Sequence, residues 1–325
     1  MGTPPISILM ACYNSEQFLQ ESLPCILNQT FQDFEVVVVD DGSTDGTLEL
    51  LNEYAKHDKR IIILTKEHSG LTDSLQYGLN AAQGEWIARW DADDLADPKR
   101  LEQQFTYLQE HPDIVLIGSG CVEIDTLGKV IKKHIYPSDH ETLVHNLRQL
   151  RKFFPHSSAL FNRRKALSVG GYRQRFTYAQ DRDLWLRLAE VGKIACLQAP
   201  LVYLRRHENT ISYSHASFQV LLGLAATICH LRRVQGLSDP SFMDESVWQE
   251  FLRWLERHLF EEGMLSDEIV WREFRKSFYG LDNVRGSIKS LISLMRKPRT
   301  IFRVLTKRWL GSNIAFRLAR EWSGG

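Results

Sequence analysis

The run "FEVVVVD" (34–40) constrains the fold most. Seven residues, four of them consecutive valines, contain no alternation of apolar and polar positions. A strand with only one buried face would alternate; a continuous β-branched run reads as a strand buried on both faces, at the centre of a parallel sheet. Its neighbours agree. "ISILMA" (6–11), "RIIIL" (60–64), "EWIARW" (85–90) and "IVLIGSG" (114–120) are further short apolar runs. Between them lie segments of helical character, near 14–28, 45–56, 69–82 and 98–110. Asn14 with Gln17 forms a capping-box pattern, and Asp97-Pro98 supplies an N-cap with a first-turn proline. Repeated β-α-β units predict an α/β fold, a mostly parallel central sheet flanked by helices.

From residue 121 the pattern changes. "CVEID" and "KVIKKHIY" flank Leu127-Gly128 as a hairpin, and Ser138 with Glu141 reads as a capping box for a helix to about Arg151. "SSALF" reads as a strand, "DRDLWLRLAEVG" (181–192) as an amphipathic helix, and "ACLQAPLVYLRRH" as extended chain. Beyond about 215 the signal is all helical, at 216–234, 244–262 and 266–279, then basic to the end. These shifts predict a domain over 1–215 and a helical, basic region over 216–325.

Two of the strands end in acid: "VVVVDDGSTD" gives Asp40 and Asp41, and "IARWDADD" gives Asp91, Asp93 and Asp94. A parallel topology puts both clusters on one edge, where open α/β sheets bind ligands. Carboxylates this close repel one another and tolerate burial only beside a cation or converging hydrogen-bond donors. Their oxygens suit hard divalent ions, Mg²⁺ or Mn²⁺. "DDGSTD" is equally good turn chemistry, and Asp94 and Asp97 read as loop and cap residues. Asp-x-Asp after an apolar strand also occurs in aspartate-nucleophile phosphatases, but near the N-terminus and with different following residues.

Other signals are exclusions. The 5 cysteines (12, 25, 121, 196 and 229) make no CxxC or zinc spacing. With no signal-peptide pattern and no apolar run of membrane-spanning length, a cytoplasmic protein is expected. The "NQT" triplet at Asn28 is then expected to stay unmodified. "GSG" (118–120) lacks dinucleotide-site spacing. From Asn283 onward, ten Lys/Arg face one acid, so the remainder is net acidic and nucleic-acid binding is not expected. The mixture of Arg/Lys with Ile, Leu, Phe and Trp in that tail predicts a peripheral helix on an anionic inner membrane surface; a packed subdomain or a homo-oligomer face is the alternative.

Taken in order, "SILMACYN" (7–14), "QTFQDFEVVVVDDGSTDGT" (29–47), "GEWIARWDADDLADPKRLEQQ" (84–104), "GGYR" (170–173), "QDRDLWLRLAEVGK" (180–193) and "LVYLRRHENTIS" (201–212) resemble the family 2 glycosyltransferases of the GT-A fold. The resemblance covers roughly the first 212 residues. It implies inverting transfer of a hexosyl group from a nucleotide-diphosphate sugar, UDP-sugars favoured, to a glycan or lipid-linked acceptor in surface polysaccharide or glycolipid assembly. It divides the first domain into a nucleotide-sugar half (about 1–120) and an acceptor half (about 121–215).

It also implies residue roles. Ala11, Tyr13, Asp40 and Asp41 meet the nucleotide, Asp41 at the base. Asp91 lies by the ribose and the metal, Asp93 is the metal ligand, and Asp181 is the catalytic base. His207 completes the metal or diphosphate site, and His156 and Arg205 contact the donor. Gln180 stands where the family often has Glu, which removes a like charge and favours a lower pKa for Asp181. Leu204 replaces a common aromatic before Arg205. The rival functions are a nucleotide-sugar-binding scaffold without catalysis and a metal-dependent phosphohydrolase.

Overall fold

The computed structural model describes residues 2–206, 216–261 and 314–323. Contacts group the chain into two units, Met1–Asn146 with Lys152–Glu208, and Leu147–Arg151 with Asn209–Gly325.

The first unit is built on one mixed sheet. Strand β1 (Ile6–Cys12) lies between β2 (Phe34–Asp40) and β4 (Trp86–Asp91), parallel to both, and β3 (Ile61–Thr65) pairs β2 on its far side. Every residue of β2 is buried, as its unbroken valine run requires. One face is covered by α1 (Glu16–Leu27), α2 (Thr47–His57) and α4 (Arg100–Glu110), whose Leu19, Leu23, Leu51 and Leu101 pack with Ile6, Ile8, Met10, Val36 and Val38. The other is covered by α3 (Leu71–Ala81). Gly78 lets α3 settle closely there: a Cβ would sit 2.4 Å from Leu9 Cδ1 and 2.9 Å from Val39 Cγ2.

Beyond β4 the parallel pattern breaks. The short β8 (Leu160–Asn162) runs antiparallel between β4 and the long β6 (Ile114–Ile124). Strand β9 (Lys193–Arg205) runs parallel to β6, and the two-residue β5 (Leu95–Ala96) closes that end of the sheet. The order is β3-β2-β1-β4-β8-β6-β9-β5, and β7 (Val130–His134) lies off this path, paired with β6. The helices α5 (His140–Arg148), α6 (Arg163–Ser168) and α7 (Gln180–Leu188) fill the second half.

Three cap expectations are corrected. Asn14 does not cap α1; its φ is +50° and its Oδ1 accepts from the Thr44 N–H at 2.8 Å, tying the end of β1 to the loop after β2. Helix α4 begins at Arg100, because Asp97 spends its carboxylate on the Lys99 N–H at 2.8 Å and turns the chain first. Asp139, not Ser138, caps α5, its Oδ1 accepting from the Thr142 N–H at 2.8 Å. Strand β6 also continues through "CVEI" without a break, so the expected change at 121 falls within one strand.

In the second unit, α8 (Ala216–Val234) is buried along Val220–Leu231, and Trp248 and Phe251 of α9 (Glu245–Glu261) cluster with Trp254 and Trp322 at ring-centroid separations of 5.3–6.0 Å. Helix α10 (Ile314–Glu321) buries Ala315, Leu318 and Ala319, and Arg232 of α8 donates to the Ala319 and Trp322 carbonyls, both at 2.8 Å. Those bonds satisfy carbonyls that a helix end leaves without partners. For this stretch of the basic tail the apolar face is thus packed inside the unit, with Arg317 and Arg320 exposed. The rest of the tail, 283–313, lies outside the described residues, as does the expected helix at 266–279.

Candidate active site

Register fixes where the acids stand. Across the parallel ladders Cys12 faces Asp40 and Ala11 faces Asp91, so the two clusters flank the end of β1, two strand spacings or about 10 Å apart. They occupy the carboxyl edge of the sheet.

At the first cluster Asp40 is buried and accepts from the Ser43 N–H at 3.4 Å, which folds the turn. Asp41, also buried, is held at the start of α3. It accepts from Lys66 Nζ at 2.9 Å, the Ser69 N–H at 3.0 Å and the Gly70 N–H at 2.8 Å, and His68 Nδ1 lies 2.9 Å away. Burial alone would raise the Asp41 pKa; the Lys66 and backbone donors outweigh it and hold the carboxyl below its ordinary value. Tyr13, 45% exposed, rests on His68 with ring centroids 4.1 Å apart. The result is an anionic edge beside two open aromatic faces, a suitable seat for a planar base.

At the second cluster β4 ends on Asp91, and the chain turns through Asp93 and Asp94. Asp91 pairs with the fully buried Arg89 two residues earlier. Burial pushes the Asp91 pKa up, Arg89 opposes this, and Asp93 and Asp181 add to it by repulsion. Asp94 points inward and accepts from Ser157 Oγ at 2.6 Å and from the Arg205 N–H at 3.0 Å; burial and its two acidic neighbours raise its pKa well above the usual range. Arg205 donates from Nε to the Asp93 carbonyl at 3.1 Å, from Nη1 to the Thr126 carbonyl at 3.1 Å and from Nη2 to Glu21 at 2.8 Å. It braces the acidic turn.

Asp181 sits in the first turn of α7 and accepts from the Arg182 N–H at 2.7 Å. Burial raises its pKa, against the attraction of Arg182 and Arg89. Burial sets that direction, and Gln180 adds no like charge to it, as a Glu at the same position would. Helix α7 is pinned by Asp183, whose fully buried carboxylate binds both Arg173 and Arg187. Arg187 also donates to the Gly171 carbonyl at 2.7 Å, and Gly170 and Gly171 adopt φ of +95° and +60°. That left-handed pair is why "GGYR" precedes the helix. Tyr172, held by its N–H to Gln76 Oε1 of α3 at 2.7 Å, lies 2.8 Å from His156 Nε2 through its hydroxyl. The His156 ring meets Trp185 edge-on at 5.6 Å, and burial with Arg89 nearby drives its pKa well below the ordinary value. His156 is therefore a neutral imidazole at neutral pH.

Asp91, Asp93, Asp94 and Asp181 thus share one electrostatic neighbourhood, with Arg89, Tyr172 and His156 in it. His207 lies outside the described residues. Among the described residues no group of three or more His, Cys, Asp or Glu side chains is disposed to hold a metal ion. The donor set still fits a hard cation: Asp91 and Asp93 offer carboxylate oxygens whose mutual repulsion a positive charge would relieve, and Mg²⁺-type sites take one or two carboxylates with substrate phosphates and water as the rest. Sequence reasoning missed Lys66, His68, Arg89, Tyr172 and Ser157. Lys66 and His68 follow β3 in the chain and carried a signal, since they sit at the carboxyl end of a parallel strand.

Solved structures give the class. The chain superposes on TarS of S. aureus in complex with UDP with a TM-score of 0.58 at 19% identity, over 78% of this chain and 71% of that one. It superposes on the mannosyltransferase PcManGT from Pyrobaculum calidifontis, in complex with GDP-Man and Mn²⁺, with a TM-score of 0.53 at 17% identity, over 98% and 87%. The fold is of the GT-A type. Residues 7–170 match the profile "Glycosyl transferase family 2", and the chain belongs to that family. It is 36% identical to the putative glycosyltransferase EpsE of Bacillus subtilis over 58% of this chain and 68% of that protein. It is 31% identical to the amylovoran biosynthesis glycosyltransferase AmsE of Erwinia amylovora (57% and 70%), and 32% identical to the O-antigen biosynthesis glycosyltransferase WbnJ of Escherichia coli (56% and 71%).

Proposed function

We propose that the protein moves a hexosyl group from a nucleotide-diphosphate sugar to an acceptor hydroxyl, with inversion at the anomeric carbon. The observation that carries this is Asp181 standing in the same electrostatic neighbourhood as Asp91 and Asp93, on an α7 pinned independently of them. Displacement with inversion needs a carboxylate to take the acceptor's proton on one side of the sugar and positive charge for the leaving diphosphate on the other.

The base of the nucleotide lies on Tyr13 and His68, with Asp41 at its edge, and Ala11 and Asp40 line the floor. Asp91 and Asp93, with His207, would hold Mn²⁺ or Mg²⁺ against the diphosphate, and the bound ion supplies the charge that stabilises the leaving group. Arg89 keeps Asp91 oriented toward that position. The raised pKa of Asp181 makes its carboxylate a stronger proton acceptor than an ordinary aspartate, and its Oδ1 contact with the Arg182 N–H sets its direction. His156, neutral and bonded to Tyr172, offers one uncharged ring to the sugar or acceptor.

UDP-sugars are favoured as donors because TarS is described with UDP and with UDP-GlcNAc; the GDP-Man complex of PcManGT keeps GDP-sugars in contention. Amylovoran and O-antigen assembly, named for two relatives, support a growing surface glycan or its lipid-linked form as acceptor. No helix among the described residues is long and apolar enough to cross a membrane. Access to such an acceptor is proposed to be peripheral, from the cytoplasmic face. The domain limits proposed for this activity are 1–215, with 216–325 as a helical accessory region.

Incubation with a panel of nucleotide sugars and Mn²⁺, read by the anomeric coupling of the product, tests the proposal. An inverted glycoside is expected. Phosphate release from a generic ester without transfer would make the protein a phosphohydrolase, and donor binding without turnover would make it a scaffold.

A further inference from the structure

Four of the exposed large apolar side chains fall within nine residues of one ribbon. Leu127 is 91% exposed, Val130 61%, Ile131 56% and Ile135 47%. They belong to the β6–β7 hairpin, whose outer strand has no second neighbour among the described strands. Lys129, Lys132 and Lys133, all exposed, are interleaved with them. The acids of the same ribbon are engaged elsewhere. Asp125 Oδ1 accepts from the Leu127 and Lys129 N–H groups, both at 2.9 Å, and so shapes the turn that presents Leu127. Glu123 is taken by His134 at 3.2 Å and by Arg206.

The apolar surface continues inward. Ile124, Gly128 and Val130 of the hairpin line a cavity of about 500 Å³ whose other walls include Leu95, Ala96 and Tyr203. Single exposed apolar residues are ordinary, but four within nine residues of one edge ribbon mark an interaction surface. Apolar side chains at the level of flanking lysines suit the boundary of a bilayer, where the chains enter the acyl region and the ammonium groups meet anionic headgroups. Lysines on an edge strand also repel strand addition by a second copy of the same edge.

We propose that the Ile124–Ile135 hairpin docks on an anionic lipid bilayer, with Leu127, Val130 and Ile131 entering the interface and Lys129, Lys132 and Lys133 at the headgroups. This gives the membrane attachment proposed above an element distinct from the basic C-terminus, and it stands or falls separately from sugar transfer.

Sedimentation of the full chain with phosphatidylcholine vesicles, with and without phosphatidylglycerol, provides the test. Binding is expected only with phosphatidylglycerol and is expected to weaken with added salt. The K129E/K132E/K133E variant should bind at least about tenfold more weakly. L127D/I131D should also bind at least about tenfold more weakly, since the apolar side chains that enter the interface are replaced by acids. Both variants should keep the wild-type affinity for nucleoside diphosphate, which reports folding and the donor site together. Unchanged vesicle binding in both variants would overturn the proposal and leave attachment to the C-terminal segment. A dimer that the variants dissociate, without vesicle binding by the wild type, would overturn it in favour of a second copy.

Discussion

The catalytic role proposed for Asp181 would come at the expense of folding. Its folded pKa lies above the ordinary carboxylate value of about 3.9. Such a group favours the folded state below the ordinary pKa, and that contribution is lost as pH rises through the raised one. At neutral pH it is therefore a burden, and Asp181→Asn should increase stability at pH 7 by about 0.5–2 kcal/mol in denaturant unfolding. The gain should shrink toward zero as pH falls through 4. The same variant should keep donor affinity while transfer falls by at least about 10²-fold. Wild-type transfer should decline on acidification through a midpoint above the ordinary carboxylate value. Asp93→Ala acts on binding instead: calorimetry should show Mn²⁺-dependent affinity for nucleoside diphosphate falling at least about tenfold, with affinity in the absence of metal little changed. Asp91 and Asp93 were legible in the sequence because they end or follow a buried run, whereas Asp181 opens a helix and was indicated only by the family resemblance. Arg89 was not legible, since a charged residue within a strand reads as surface until the structure shows its side chain fully buried and paired with Asp91.

The elements carry the site through one clamp. Asp183 of α7 binds Arg173 from the loop and Arg187 from the next helical turn, all nearly buried. Removing the acid leaves two guanidinium groups without their carboxylate. Asp183→Ala should cost about 3–5 kcal/mol in denaturant unfolding, whereas Asp181→Asn, two residues away, should stabilise. That opposite sign would separate the clamp from the proposed catalytic base. Most elements were readable from periodicity: β2 falls at 34–40 as expected, and β1, β3, β4 and α1 to α4 fall within two residues of expectation at both ends. The caps were less so. Asn14 and Asp97 are good cap residues that spend their side chains on other loops. A three-residue antiparallel strand such as β8 has too few positions to show a period, and its partners are chosen by tertiary packing.

At the scale of the whole molecule, ligands should act through the unit that carries the carboxyl edge. A nucleoside diphosphate with Mn²⁺ at a hundredfold excess over Kd should add about 2.7 kcal/mol. Thermal unfolding should therefore move up by several degrees, and EDTA should abolish most of that rise. The antiparallel β8 has a further consequence for biosynthesis. Its residues 160–162 fill the space between β4 and β6, which are complete by residue 124. While a ribosome adds the intervening residues, two hydrophobic strand edges wait without their shared partner, a state prone to wrong pairing. Pausing or truncation within that window should yield aggregates, whereas release after β9 should not, so the yield of this protein in a cell depends on how quickly a short stretch near its middle is translated.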